Sequence, residues 1–270
     1  MNDALRKRVL TAVVLGAALL AILLWLPEWV TVAVVTLIVL FGAWEWSAFL
    51  RLVDPGPRFG YVLLVGVLLW LVWHFSMSPG RLDLVLAVAV LWWLLALGWI
   101  VFAPRRVSPW SAAAAGVLAL VPSWLALVRL RLTLPDGAQW VLFALVLVWV
   151  ADIGAFFSGR MFGRLRLAPE VSPGKTWEGL LGGVTVSALV AIIGSRWFQV
   201  PLAVFLPLCL AAVGFSVVGD LTESLLKRSA GVKDSGSVFP GHGGVMDRID
   251  SITGAAPVLL LGLSLLGVIT

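Results

Sequence analysis

Nine runs of apolar residues divide the chain, at 9–26, 29–46, 61–75, 82–102, 111–128, 140–157, 180–193, 202–219 and 252–269. Their length decides the element type. About 20 residues rising 1.5 Å each cross roughly 30 Å of hydrocarbon, whereas a barrel strand would show about ten alternating residues between turns. A helix also satisfies its own backbone where no water is present. The pattern predicts an all-α integral membrane protein, a polytopic bundle of about nine transmembrane helices in which the third and seventh runs are short.

Composition agrees. With 61% hydrophobic and 12% charged residues and a mean hydropathy of +1.06, the chain has too little polar surface to cover a soluble globule. Arg6, Lys7 and Arg8 precede the first run as in a signal peptide, but Leu24, Trp25, Leu26 and Pro27 supply no small-residue cleavage site, which predicts an uncleaved first helix.

With nine spans and a cytoplasmic N-terminus, 15 of the 19 Lys and Arg fall inside and only Arg81, Arg129, Arg131 and Arg196 outside, as the positive-inside rule requires. The net charge of +5 and pI near 10.1 fit basic residues beside anionic lipid headgroups, and no nucleic-acid partner is expected. Trp25, Trp29, Trp44, Trp46, Trp73, Trp110, Trp140 and Trp197 lie near run ends and are expected as interfacial anchors. The lone Cys209 sits inside an apolar run and reads as a packed thiol.

The chemistry is lopsided. Residues 1–137 carry scattered acids (Asp3, Glu28, Glu45, Asp54, Asp83, Asp136) and short connectors; this region is expected to be a scaffold of about five helices. Residues 138–270 form the expected catalytic region of about four helices, with cytoplasmic loops at 158–179 and 220–251.

Polar residues gather there at three places. The first is Asp152, which shares a helix face with Phe156, Gly159 and Gly163. An acid in an apolar run is costly and marks a function unless a neighbouring helix hydrogen-bonds it, and the glycines would let a helix or ligand approach closely. The second is Lys175, in a Pro-Gly turn before a helix starting near Thr176. An ammonium beside free N–H groups makes an anion site, although a juxtamembrane lysine meeting lipid phosphate would look the same, and the spacing is not that of an ordinary P-loop.

The third place, 220–250, holds nine charged side chains between two apolar runs. Asp220, Glu223 or Ser224, and Lys227 follow i, i+3/i+4, i+7 and so stack on one helix face. After a Gly-rich loop, Asp247 and Asp250 return one helical turn apart. Two acidic faces around a basic loop suit a hard cation such as magnesium together with the phosphates it bridges. Lys227, Arg228, Lys233, His242 and Arg248 would neutralise phosphate oxygens. His242 is equally open to a proton-donating role.

The segment SLLKRSAGVKDSGSVFPGHGGVMDRID, 224–250, resembles the signature of the phosphatidate cytidylyltransferases, the CDP-diacylglycerol synthases. Ser224, Lys227, Arg228, Lys233, Asp234, Gly236, Phe239, Pro240, His242, Gly243, Gly244, Asp247, Arg248 and Asp250 are in register with it. The helix from Asp152 ending in Gly-Arg-Met-Phe-Gly and the turn at 172–179 are also similar to that family.

The resemblance implies transfer of the cytidylyl group of CTP to phosphatidate, giving CDP-diacylglycerol and pyrophosphate. It implies Mg2+ with K+ as a second cation, a homodimer, and a site on the cytoplasmic side of a bacterial inner membrane. It also implies catalytic roles for Asp220, Asp247, Lys227 and Lys175. Metal ligands would be drawn from Asp220 and Asp247, with Glu223, Asp250 and Asp152 near them. Substrate contacts would come from Ser172, Lys175, Thr176, Glu178, Ser224, Lys227, Arg228, Lys233, His242 and Arg248.

Two other classes use similar parts. A CTP-dependent lipid kinase would direct a lipid hydroxyl at the γ-phosphate and need a base. A transporter would use intramembrane acids and a short interrupted helix such as 180–193, but the charges here cluster at one face and no inverted repeat is evident.

Overall fold

The computed structural model describes residues 14, 16–104, 106–134, 136–236 and 243–268. Among them are nine helices, and the order follows the apolar runs. Helix α1 (Gly16–Trp25) is the described part of the first run. It is followed by α2 (Glu28–Trp46), α3 (Pro55–Phe75), α4 (Pro79–Phe102), α5 (Pro109–Thr133), α6 (Gly137–Phe162), α7 (Trp177–Trp197), α8 (Leu202–Ser229) and α9 (Met246–Leu265). The last eight are long and apolar enough to cross a membrane.

The two short runs lengthen for local reasons. Pro55 opens α3 with φ already set for a helix, so 55–60 joins the run. In α7 the Thr176 hydroxyl caps the helix by accepting from the Gly179 N–H at 3.1 Å, which draws Trp177 and Glu178 into its first turn. Helix α5 starts with a reciprocal Ser108–Ser111 capping box.

Side-chain bonds sort the helix ends into two sets. At one end, Arg131 of α5 pairs with Glu28 of α2 at 2.9 Å. Ser264 of α9 donates to Asp83 of α4 at 2.6 Å, and Trp197 of α7 donates to Gln139 of α6 at 2.7 Å. At the other end, Trp46 donates to the Ala112 carbonyl, Arg58 to the Trp44 carbonyl, and the starts of α7 and α9 meet the ends of α6 and α8. Successive helices therefore run antiparallel, and all three polar places of the sequence reach the second end.

Helices α5 and α9 are the most buried, whereas α3 and α4 show most of their surface. The tryptophans divide in the same way. Trp25, Trp29, Trp110 and Trp197 are exposed, as interfacial anchors should be. Trp46 and Trp140 are not anchors but core: both are buried, with the Trp46 indole N–H satisfied and Trp140 stacked on Phe198 at 3.7 Å. A helix end that faces its neighbours gives a tryptophan no interface to occupy. Cys209 is fully buried.

The segment joining α6 to α7 contains a small antiparallel pair, β1 (Arg166–Ala168) and β2 (Ser172–Thr176). Glu178 holds its entry by accepting the Arg164 and Leu165 N–H groups at 3.1 and 3.2 Å. The segment joining α8 to α9 is shorter than 220–251. Helix α8 continues through Ser229 and α9 already begins at Met246, and Lys227 and Glu223 of α8 find Asp247 and Asp250 of α9 as neighbours.

Candidate active site

Helices α6 and α7 touch along glycines. A Cβ at Gly154 would meet Val186 Cγ2 at 3.1 Å and Gly183 Cα at 3.2 Å, and one at Gly159 would meet Thr176 Oγ1 at 3.1 Å. This is the close approach expected below Asp152. Beside the seam, α6, α7, α8 and β2 enclose a cavity of about 440 Å³. Its walls are largely apolar and include Phe156, Leu167, Leu180, Val213 and Val217, while Asp152, Arg160, Lys175 and Asp220 supply charge.

Lys175 on β2 forms an ion pair with Asp220 of α8, and both side chains remain about a quarter exposed, at 26% and 25%. The strand therefore aims the lysine at an acid about two and a half turns from the end of α8. Asp152 is open to the cavity, facing Asp220, Asp250 and Lys175, with Ser251 within hydrogen-bonding reach. Ser224 donates to Asp220 at 3.4 Å.

A second, tighter group lies between α8 and α9. The Lys227 ammonium donates to Glu223 Oε2 at 3.0 Å and to Asp247 Oδ1 at 2.7 Å. Glu223 is 1% exposed. Its other oxygen, Oε1, is buried without a hydrogen-bond partner, and Asp250 is its acidic neighbour. Asp247 Oδ2 accepts from the Ser235 N–H (3.1 Å), the Ser235 hydroxyl (2.9 Å) and the Gly244 N–H (2.7 Å). Both oxygens of Asp247 are thus committed.

The structure brings Asp152, Lys175, Asp220, Ser224, Glu223, Lys227, Asp247 and Asp250 to one end of the bundle. Thr176 and Glu178 serve the local fold, as the cap of α7 and the anchor of the segment entering β1. Arg228, Lys233 and Arg248 are exposed around the group, and Ser172 lies on β2. His242 lies outside the described residues.

One participant comes from the region expected to be scaffold. Glu45 of α2 is 4% exposed and accepts from the N–H groups of Val245 and Met246 at 3.0 and 2.8 Å, with the Ser235 hydroxyl within hydrogen-bonding distance at 3.1 Å. The signal was present in the sequence, since an acid inside the 29–46 run invites the same question as Asp152.

Five carboxylates, one with an orphaned buried oxygen, against two lysines make a donor set that suits a hard cation. Among the described residues, no three His, Cys, Asp or Glu side chains are grouped so as to hold an ion by themselves. Magnesium does not require such a cage, because one or two carboxylates with substrate phosphates ordinarily suffice.

The sequence profile of the cytidylyltransferase family matches residues 6–266. The phosphatidate cytidylyltransferase of Haemophilus influenzae is 41% identical over 279 residues, covering 94% of this chain and 96% of the relative. That of Pseudomonas aeruginosa is 39% identical over 261 residues, covering 94% and 95%. That of Brucella suis is 36% identical over 274 residues, covering 95% and 92%.

Proposed function

The chain belongs to the cytidylyltransferase family, and from that membership we propose that it transfers the cytidylyl group of CTP to phosphatidate, forming CDP-diacylglycerol and pyrophosphate. The observation that carries this reading is the cavity with charge at Asp152, Lys175 and Asp220 and apolar walls at Phe156, Leu180 and Val217. A polyanionic nucleotide needs the lysine and a cation that the acids would hold, and a lipid substrate needs the apolar walls.

In this reaction an oxygen of the lipid phosphate bonds to the α-phosphorus of CTP, and the bond from that phosphorus to the bridging oxygen of pyrophosphate breaks. The nucleophile is already an anion, so no covalent enzyme intermediate and no strong base are needed. The protein has to bring two polyanions together. Lys175, only a quarter exposed and held by Asp220, is poised to exchange its carboxylate for a phosphate oxygen. Lys227 stands between Glu223 and Asp247 and keeps positive charge beside the site. Exposed Arg228, Lys233 and Arg248 would meet the pyrophosphate side from the solvent.

Magnesium fits the acid group, with Asp220 and Asp247 as the proposed ligands and Glu223, Asp250 and Asp152 around them; for Asp247 this means giving up the Lys227 contact. When bound, the ion would offset charge on the phosphate oxygens as attack proceeds. Potassium is proposed as the second cation, and a homodimer as the working unit. The distribution of 15 basic residues against four supports a cytoplasmic site in a bacterial inner membrane, where CTP arrives from water and phosphatidate from the leaflet.

The test is conversion of radiolabelled CTP and phosphatidate by purified protein in detergent, with potassium supplied. Magnesium-dependent CDP-diacylglycerol and pyrophosphate, lost with chelator and in folded Asp220→Asn and Asp247→Asn, is the expected outcome. Release of CDP with a phosphorylated lipid alcohol would indicate a kinase instead. No product from folded wild type overturns the proposal.

A further inference from the structure

The start of α9 is capped in an unusual way. A helix N-terminus leaves four N–H groups without partners in the helix, and ordinarily a residue at the cap serves one of them. Here the N–H of Gly244 goes to Asp247 Oδ2, that of Val245 to Glu45 Oε1, that of Met246 to Glu45 Oε2, and that of Asp247 to the Ser235 hydroxyl at 3.3 Å. The Ser235 hydroxyl lies within hydrogen-bonding distance of both acids. Glu45 and Asp247 therefore share a single frame, and Glu45 reaches it from 200 positions away.

The fit is close on the backbone side as well. A Cβ on Gly236 would lie 2.8 Å from Glu45 Cδ, and one on Gly244 would strike both Glu45 oxygens and the Ser235 hydroxyl. Burial of a carboxylate is tolerated only with such compensation, which the N–H groups and the positive end of the α9 dipole supply.

We propose that Glu45 is a positioning residue of the cytidylyl-transfer site: by holding Val245, Met246 and Ser235 it fixes Asp247 through Oδ2, which leaves Oδ1, now on Lys227, as the oxygen that would turn to the ion. Glu45 touches neither substrate. It acts through Asp247, and the activity readout below rests on the reaction proposed above.

Glu45→Gln is the informative variant, because it keeps size but turns an NH2 group toward an N–H donor that needs an acceptor. Loss of such support around a ligand or catalytic carboxylate typically costs about 10- to 100-fold. The expected result, measured well below the melting temperature of each variant, is a fall of that size in kcat per folded protein, with KM for CTP unchanged to within about twofold. Hydrogen exchange at residues 244–247, followed by mass spectrometry in detergent, should accelerate.

Ser235→Ala supplies the second arm. If Glu45 acts through the shared frame, Glu45→Gln combined with Ser235→Ala loses less than the product of the two single losses. Wild-type kcat in folded Glu45→Gln, or losses that multiply fully, would overturn the proposal. If wild type makes no CDP-diacylglycerol, the reaction assigned above fails. The exchange measurement then decides the role of Glu45, since unchanged protection at 244–247 in the variant overturns the frame by itself.

Discussion

Two neighbouring groups of charge are built differently. Between α8 and α9, Lys227, Glu223, Asp247, Ser235 and Glu45 form a largely buried set in which each group has a named partner, apart from one oxygen of Glu223. At the cavity, Lys175 and Asp220 are a quarter exposed and Asp152 is open. The charge that holds the geometry is enclosed and saturated, with Asp247 the one member proposed to turn an oxygen to the ion, while the charge that meets substrate is left accessible. The first group stores the geometry and the second uses it.

Substitutions should separate the two. The largest effect on stability is expected from Lys227→Met, which strands a nearly fully buried Glu223 and removes one partner of Asp247. Breaking a buried pair from one side costs about 3–5 kcal/mol, so thermal unfolding in detergent should shift strongly downward. A Lys227→Met protein as stable as wild type would mean that the enclosed group is not a frame.

Asp220→Asn should do the opposite. Its loss removes an electrostatic element of the open site, for which about 10²–10³ in kcat is typical, yet its ion pair is accessible enough that stability should change by no more than about 1 kcal/mol. A large melting shift with kcat intact would reverse the assignment of the two groups. Thr176→Ala, which deletes the cap on Gly179 beneath the cavity, should cost about 1 kcal/mol, read by chemical denaturation. If activity falls far more than that stability loss accounts for, the hydroxyl belongs to the open group as well.

Much of this was legible in the chain because it is local. Span positions follow from length and hydropathy, and the i,i+4 spacing in α8 does place Lys227 on Glu223 and Ser224 near Asp220. The glycines below Asp152 do face α7. Three features were not legible. The β1–β2 pair uses a five-residue strand containing Pro173 and Gly174, residues that signal a turn rather than a strand. Trp46 and Trp140 stand at run ends but face other helices, which only tertiary packing decides. For Glu45 the acid in an apolar run was visible but its role was not, because its partners are made 200 residues later.

That separation has a consequence for how the protein is made. At roughly 5–20 residues per second of synthesis, the Glu45 carboxylate leaves the ribosome about 10–40 s before the segment it will hold. During that interval Glu45 lacks the N–H groups it meets in the finished protein. The frame around Asp247 can therefore close only after α9 has been made.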